Sequence, residues 1–338
     1  MREGLRKSWV LTRTTTYLLL RLLYRVATMR WRVLPTFFVL GPPRSGTSSL
    51  DYYVRQHPSY VAPLIKELGY NPLQTKRPQG EFQGWLYHRV PRQIRKPVVR
   101  AVQGLYYWGG ADGYRKLFPL VSVMGKTTHS TGNAITADYT VLGLYNPETK
   151  DAFPYRTVGE ATRYITILRS PVEFLFSFYS IERSRQFRPI NRELSFEDFL
   201  RSPEDFYTDR RAVEAAKNNL ECWRPFFEER SYFDETMFTF ATAMVCYVVF
   251  VKRWASSLPE GRLLVLSFSD LRDRTQDTVD RVFDFLEVSP VKLTDIRPMN
   301  VGKYDGKTVP PAAAAYLESL CRPYNEELYD FLGRDLGW

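Results

Sequence analysis

Cysteine, histidine and long apolar runs are scarce in this chain, and each scarcity excludes something. Only three cysteines occur in 338 residues, Cys222, Cys246 and Cys321, far apart and in no CxxC pair. That pattern excludes a disulfide scaffold and a cysteine zinc site, and it fits buried thiols in a reducing compartment. Three histidines, His57, His88 and His129, are all that a histidine-based mechanism has to draw on. No zinc-protease motif and no Gly-x-Ser-x-Gly elbow is present. No repeat of 20 to 50 residues and no low-complexity tract appears, which leaves a solenoid or a disordered chain without support. What remains is 44% hydrophobic and 25% charged, the composition of a globular chain long enough to bury a substantial core.

Acidic residues are nearly missing from one place. In residues 1–35, Glu3 alone faces Arg2, Arg6, Lys7, Arg13, Arg21, Arg25, Arg30 and Arg32, a net charge of +7. The other 303 residues hold 39 basic against 36 acidic groups, leaving +3 of the total of +10. A body so close to neutral lacks the dense basic face that duplex DNA requires, so no nucleic-acid partner is expected. The longest charge-free run in the basic segment is the seven residues Thr14 to Leu20. A spanning helix needs about 20. Arg21 and Arg25 lie one helical turn apart beside Leu18, Leu19, Leu22 and Leu23. Residues 1–35 therefore read either as a basic amphipathic helix on an anionic membrane surface or as a helix packed on the domain with snorkelling arginines.

Short apolar runs recur along the rest: "FFVLG" at 37, "VSVMG" at 121, "YITILR" at 164 and "RLLVLSF" at 262. Runs of this kind are what strands buried on both faces look like, and the stretches between them leave room for crossover helices. The expectation is an α/β fold with a parallel sheet flanked by helices, in one domain over 36–338. "SFEDFLRSPEDF" opens with Ser195 ahead of acids, a capped helix start, and "TQDTVDRVFDFLEV" carries a helical stripe at Val279, Val282, Phe283 and Leu286. Residues 75–118, rich in Gly, Pro, Arg and aromatics, read as an irregular insertion.

The segment "FFVLGPPRSGTSSL", 37–50, joins an apolar run to a Gly/Pro turn and then to small hydroxyl residues that open a helix. Backbone N–H groups from Arg44 through Ser48 at such a helix start form a donor nest for an anion, and Arg44 adds a fixed cation. Nucleoside triphosphate loops carry Lys after the second glycine. Here that position, after Gly46, is Thr47.

"PRSGT" resembles the 5′-phosphosulfate loop of sulfotransferases. "ITILRSPVEFLFSFYS" resembles the family's 3′-phosphate segment, with Arg169 at a strand end, Pro171, and Ser177 eight residues past the arginine. "GKYDGKTVP" at 302–310 is similar to the glycine and lysine loop that closes over the nucleotide in heparan sulfate sulfotransferases, and the ending "RPYNEELYDFLGRDLGW" is similar to theirs. The cysteine pair that precedes this loop in the animal members is absent.

The resemblance implies a P-loop-like sulfotransferase fold and 3′-phosphoadenosine 5′-phosphosulfate as co-substrate, with no metal. It implies that Arg44, Ser45, Gly46, Thr47 and Ser48 hold the 5′-phosphosulfate, that Arg169 and Ser177 hold the 3′-phosphate, and that Lys303, Gly306, Lys307 and Thr308 cover the nucleotide. As general base it offers Glu67, in a Lys66-Glu67 pair like that of carbohydrate-sulfating members; the competitor is His129 in "GKTTHSTG", displaced by one residue from the histidine of phenol and steroid enzymes. Lys126 corresponds to a sulfate-contacting lysine. The acceptor is a hydroxyl, or an amine, of a carbohydrate, lipid or small metabolite. A cytoplasmic setting with membrane association is expected, with a Golgi membrane as the alternative. The rival readings are a P-loop kinase or NTPase and a non-catalytic membrane-associated nucleotide-binding protein.

Overall fold

A computed structural model of the chain describes residues 20, 23–64, 66, 110–141, 143–145, 149–151, 154–184, 193–201, 244–297, 299 and 308–338. Four strands, β1 (Phe37–Val39), β2 (Ala137–Tyr139), β3 (Arg163–Leu168) and β4 (Leu263–Ser267), form one sheet in the order β2-β1-β3-β4. Every pairing is parallel: Phe37 lies opposite both Ala137 and Arg163, and Tyr164 lies opposite Leu263. All four chains therefore leave the sheet at the same edge.

Both faces of the sheet are covered, which is why β1, β3 and β4 are apolar over most of their length. Phe37, Val39, Ile165, Ile167 and Leu266 point to one side, against α1 (Thr47–Val54) and α8 (Thr275–Phe285), where Leu50, Val54, Val279, Val282 and Phe283 meet them. Phe38, Tyr164 and Val265 point to the other. That side holds α4 (Pro171–Ser184), α6 (Tyr247–Ser257) and the long C-terminal helix α9 (Pro311–Leu332). Trp254 of α6 is fully buried there, its ring 5.0 Å from Tyr155 and 5.2 Å from Tyr164, and its indole N–H donates to the Leu144 carbonyl at 3.0 Å. Cys246 and Cys321 are buried thiols in the same core, and burial pushes Cys321 up to about 12. Cys222 lies outside the described residues.

The expected capped start at Ser195 is present. The Ser195 hydroxyl accepts from the Asp198 N–H at 3.1 Å and the Asp198 carboxylate accepts from the Ser195 N–H at 3.3 Å, opening α5 (Phe196–Arg201). Ser289 and the end of α1 are joined by His57: its Nε2 donates to the Ser289 carbonyl at 2.7 Å while its Nδ1 accepts from the Ser59 N–H at 3.0 Å.

One strand was misplaced by the sequence pattern. "VSVMG" forms the start of a helix, α3 (Val121–Thr131), which buries only Met124 and ends at Gly132 in a positive-φ conformation. A run of five residues has no period long enough to separate helix from strand. The sheet position belongs instead to Ala137–Tyr139, whose central Asp138 hides the strand in the sequence. Asp138 is fully buried and accepts hydrogen bonds from Tyr114 and, at 2.9 Å, from Thr140. Of the expected irregular insertion, residues 75–109 lie outside the described part; its end forms the short helix α2 (Gly110–Arg115).

Candidate active site

The loop Gly41–Gly46 leaves the C-terminal end of β1, the edge at which open parallel sheets bind ligands. Its path is confined by close packing. Gly41 has φ +95°, and a Cβ there would stand 1.9 Å from the Val141 carbonyl oxygen. The Gly41 carbonyl accepts from the Thr166 hydroxyl at 2.6 Å and from the Ile167 N–H at 3.1 Å, tying the loop to β3. Arg44 and Gly46 both have positive φ, 65° and 87°. Such turns aim successive N–H groups into one concavity. Gly46 is the N-cap of α1 and no side chain caps that helix, so its first-turn donors face the concavity. The Ser45 hydroxyl is fully buried and has no hydrogen-bond partner among the described residues. A buried hydroxyl left so is a position that an anion's oxygen would satisfy. The residues present therefore fit a phosphate or sulfate group at this loop.

Two residues far along the chain converge on it. Arg44 donates from Nε to the Ser177 hydroxyl at 3.2 Å, reaching from the loop to α4. Arg169, one residue past β3, donates from Nη1 to the Arg44 carbonyl at 3.0 Å and from Nε to Glu173 at 2.9 Å. Its guanidinium also lies 4.6 Å from the ring centre of Phe268, the first residue of α7 (Phe268–Asp273) after β4. Arg272 approaches the same ring at 5.9 Å and Glu173 at 3.8 Å. The Phe268 ring is the wall against which Gly46 packs: a Cβ at Gly46 would be 2.8 Å from it. Glycine at 46 is thus required by backbone conformation and by space together.

A further cation comes from beyond α1. Lys66 donates to the Ser48 hydroxyl at 2.9 Å, and its ammonium lies 5.5 Å from the Tyr139 ring centre. Burial, followed by the Asp51 carboxylate, holds the Tyr139 phenol well above its ordinary value, so it stays neutral beside the lysine. The Met299 N–H donates to the Ser49 hydroxyl at 3.1 Å, which brings the chain just before the 302–310 loop to the first turn of α1.

The structure thus gathers Arg44, Ser45, Gly46, Thr47, Ser48, Arg169 and Ser177 at one edge of the sheet. It does not bring Lys126 or His129 to them. Both are exposed on α3, which runs from Leu120, bridged to Arg32, to Gly132 and Asn133. These flank the edge where β1 and β2 begin, opposite the loop. Glu67, Lys303, Gly306 and Lys307 lie outside the described residues, and Thr308 is an exposed residue ahead of α9. Two members of the site were not singled out from sequence, Phe268 and Ser49. For Phe268 the available signal was its place directly after an apolar strand.

The sulfotransferase domain family model matches residues 34–299, more than half of the chain. The chain belongs to the sulfotransferase family. The chain is 22% identical over 355 residues to the membrane-associated sulfotransferase kil1 of Dictyostelium discoideum, covering 90% of its own length and 66% of that protein's. It is also 22% identical over 333 residues to human carbohydrate sulfotransferase 15, covering 90% of itself and 54% of that protein. The chain thus spans between about half and two thirds of the length of these two relatives. A crystal structure of a sulfotransferase from Alicyclobacillus acidocaldarius superposes with a TM-score of 0.51 at 19% identity, over 90% of this chain and 97% of that one, a likeness of fold.

Proposed function

We propose that this sulfotransferase moves a sulfuryl group from 3′-phosphoadenosine 5′-phosphosulfate to a hydroxyl, or an amine, of a carbohydrate, lipid or small-metabolite acceptor. The observation that carries the reading is the chain of contacts Ser177–Arg44–Arg169, which joins the loop after β1, the end of β3 and the helix α4 that follows it into one cationic cradle. Its two guanidiniums suit a donor with separate 5′ and 3′ anionic groups. The loop donors of residues 44–48 would hold the 5′-phosphosulfate, and Arg169 with Ser177 the 3′-phosphate. Thr47 in place of lysine removes the group that a nucleoside triphosphate's terminal phosphates require.

In the reaction the acceptor oxygen attacks sulfur in line, the bond from sulfur to the 5′-phosphate oxygen breaks, and adenosine 3′,5′-bisphosphate leaves. Glu67 takes the acceptor's proton, and Lys66, held at Ser48 beside the start of α1, stabilises charge on the transferring oxygens. His129 is the alternative base; its exposed place on α3 favours Glu67. The names of the relatives, one of them a carbohydrate sulfotransferase, support a carbohydrate acceptor. Lys303, Gly306, Lys307 and Thr308 would close over the nucleotide from the chain anchored at Ser49. No metal is needed for this chemistry. Incubation with donor labelled in the sulfuryl group and a panel of sugars, lipids and phenols, read by mass spectrometry, tests the proposal. A mass gain of one sulfate on any acceptor supports it; no transfer together with no affinity for adenosine 3′,5′-bisphosphate overturns it.

A further inference from the structure

Among the described residues ten large apolar side chains are exposed, and six of them are concentrated in one region: Leu20, Leu23, Tyr24, Trp31, Val121 and Val123. Residues 23–27 are helical, so Leu20, Leu23 and Tyr24 fall at i, i+3 and i+4 on one face. Trp31, 66% exposed, stands across from Val121, because Arg32 and Leu120 form an antiparallel bridge. The Arg32 guanidinium lies 5.5 Å from the Tyr24 ring centre, which joins the helical face to the bridge. The six therefore belong to one region built from two segments about 90 residues apart in sequence and joined through Arg32.

Arg25 and Arg32 fix this surface from behind. Arg25 donates to the carbonyls of Lys116 and Phe118, and Arg32 donates to the Phe118 carbonyl at 2.8 Å and to the Thr28 hydroxyl at 3.0 Å. On the helix Arg25 points away from the leucine face. Its charge serves as an anchor to the domain, and the apolar face is turned outward by that anchor. An unpartnered apolar face of this size, rimmed by charge, marks an interaction site. Exposed Arg30 adjoins Trp31 in the chain, exposed Lys126 lies one turn beyond Val123 on α3, and residues 1–35 carry +7 against +3 for the rest.

We infer that this surface rests on an anionic lipid bilayer, with the apolar side chains at the level of the headgroups and Arg30 and Lys126 at its rim. A tryptophan and a tyrosine at the rim of an apolar patch suit that depth, and cations gather at anionic headgroups. No helix among the described residues is long and apolar enough to cross a membrane, so the contact is with one surface.

The test uses the full chain and vesicles of phosphatidylcholine, with and without phosphatidylglycerol, in a sedimentation assay at low and high salt. Binding to the anionic vesicles, weakened by salt, is expected. The pairs Leu23→Ser/Trp31→Ser and Val121→Ser/Val123→Ser should each weaken it about tenfold. The second pair lies outside the basic segment, so it separates this surface from a merely electrostatic tail. Brominated lipid should quench the wild-type tryptophan emission more than that of Trp31→Phe. Equal binding by both pairs, or no vesicle binding at all, overturns the inference. So does sedimentation velocity showing a dimer that the same variants dissociate without any vesicle binding. Melting temperature and affinity for adenosine 3′,5′-bisphosphate, measured on the same samples, keep this outcome separate from that of the catalytic proposal.

Discussion

Gly46→Ala adds one methyl group and changes no charge, yet it should damage both stability and nucleotide binding. At φ +87° an alanine is held in the left-handed region, which costs about 1–2 kcal/mol. The new Cβ would also meet Phe268 at 2.8 and 3.1 Å and Leu271 at 3.3 Å, the first too close to persist and the others tight. Phe268 cannot give way alone, because the Arg169 guanidinium lies 4.6 Å from its ring, a contact that contributes about 0.5–1 kcal/mol. The cost sums to about 1.5–3 kcal/mol, or about 2–4 °C in melting temperature for a chain of this size. Moving Phe268 shifts Arg169, which holds the Arg44 carbonyl, so the affinity for adenosine 3′,5′-bisphosphate should fall about tenfold or more. Gly125→Ala is the control: an added Cβ there meets nothing within 4 Å, and in the exposed interior of α3 the change should stabilise by about 0.5–1 kcal/mol. Thermal unfolding and calorimetric titration of both variants decide the matter. Wild-type affinity and melting temperature in Gly46→Ala would refute the reasoning about the loop.

Arg169→Lys keeps the charge but loses the fork that spans Glu173 and the Arg44 carbonyl, so titration should show nucleotide affinity reduced about tenfold. Lys66→Met should lower kcat while leaving the affinity for adenosine 3′,5′-bisphosphate within about twofold, because that product lacks the sulfuryl oxygens the lysine is proposed to hold; a large loss of product affinity would place Lys66 on the nucleotide instead. Glu67→Gln should cut kcat about a hundredfold or more with product affinity intact, while His129→Gln should leave kcat unchanged. Burial pushes the Lys116 ammonium from its ordinary value of 10.5 down to about 8. Between those values the unfolded chain binds more protons than the folded one, so this group's contribution to stability rises with pH across that window, and carrying the charge below it costs about 3 kcal/mol. The wild type should therefore gain stability from this group between about pH 8 and 10.5, a rise that Lys116→Met lacks; denaturant unfolding at both values measures it.

Much of the fold was legible because its strands are buried on both faces and read as apolar runs at 37, 164 and 262. The failure at 121 and the missed strand at 137 share one cause. Val121 and Val123 are apolar but exposed, and Asp138 is charged but buried among its own hydrogen-bond donors. Polarity predicts burial only where no partner satisfies the polar group. The loop at 41–46 was readable because its glycines carry their geometry in their residue type, whereas the positive φ of Arg44 was not. Phe268 was not, since a phenylalanine after a strand looks like any other core residue until Gly46 and Arg169 are seen against it. The partner of Arg25 was equally hidden: it stands beside leucines in the sequence, and only the carbonyls of Lys116 and Phe118 show what it faces.

The most direct measurement is calorimetric titration of the full chain with adenosine 3′,5′-bisphosphate and, separately, with ATP and Mg²⁺. Saturable binding of the bisphosphate, lost in Arg44→Ala and Arg169→Ala while both variants still unfold cooperatively from a folded state, is the expected result. No heat with the bisphosphate, or tighter binding of ATP with Mg²⁺, would contradict the assignment of the cradle to a 3′,5′-substituted nucleotide.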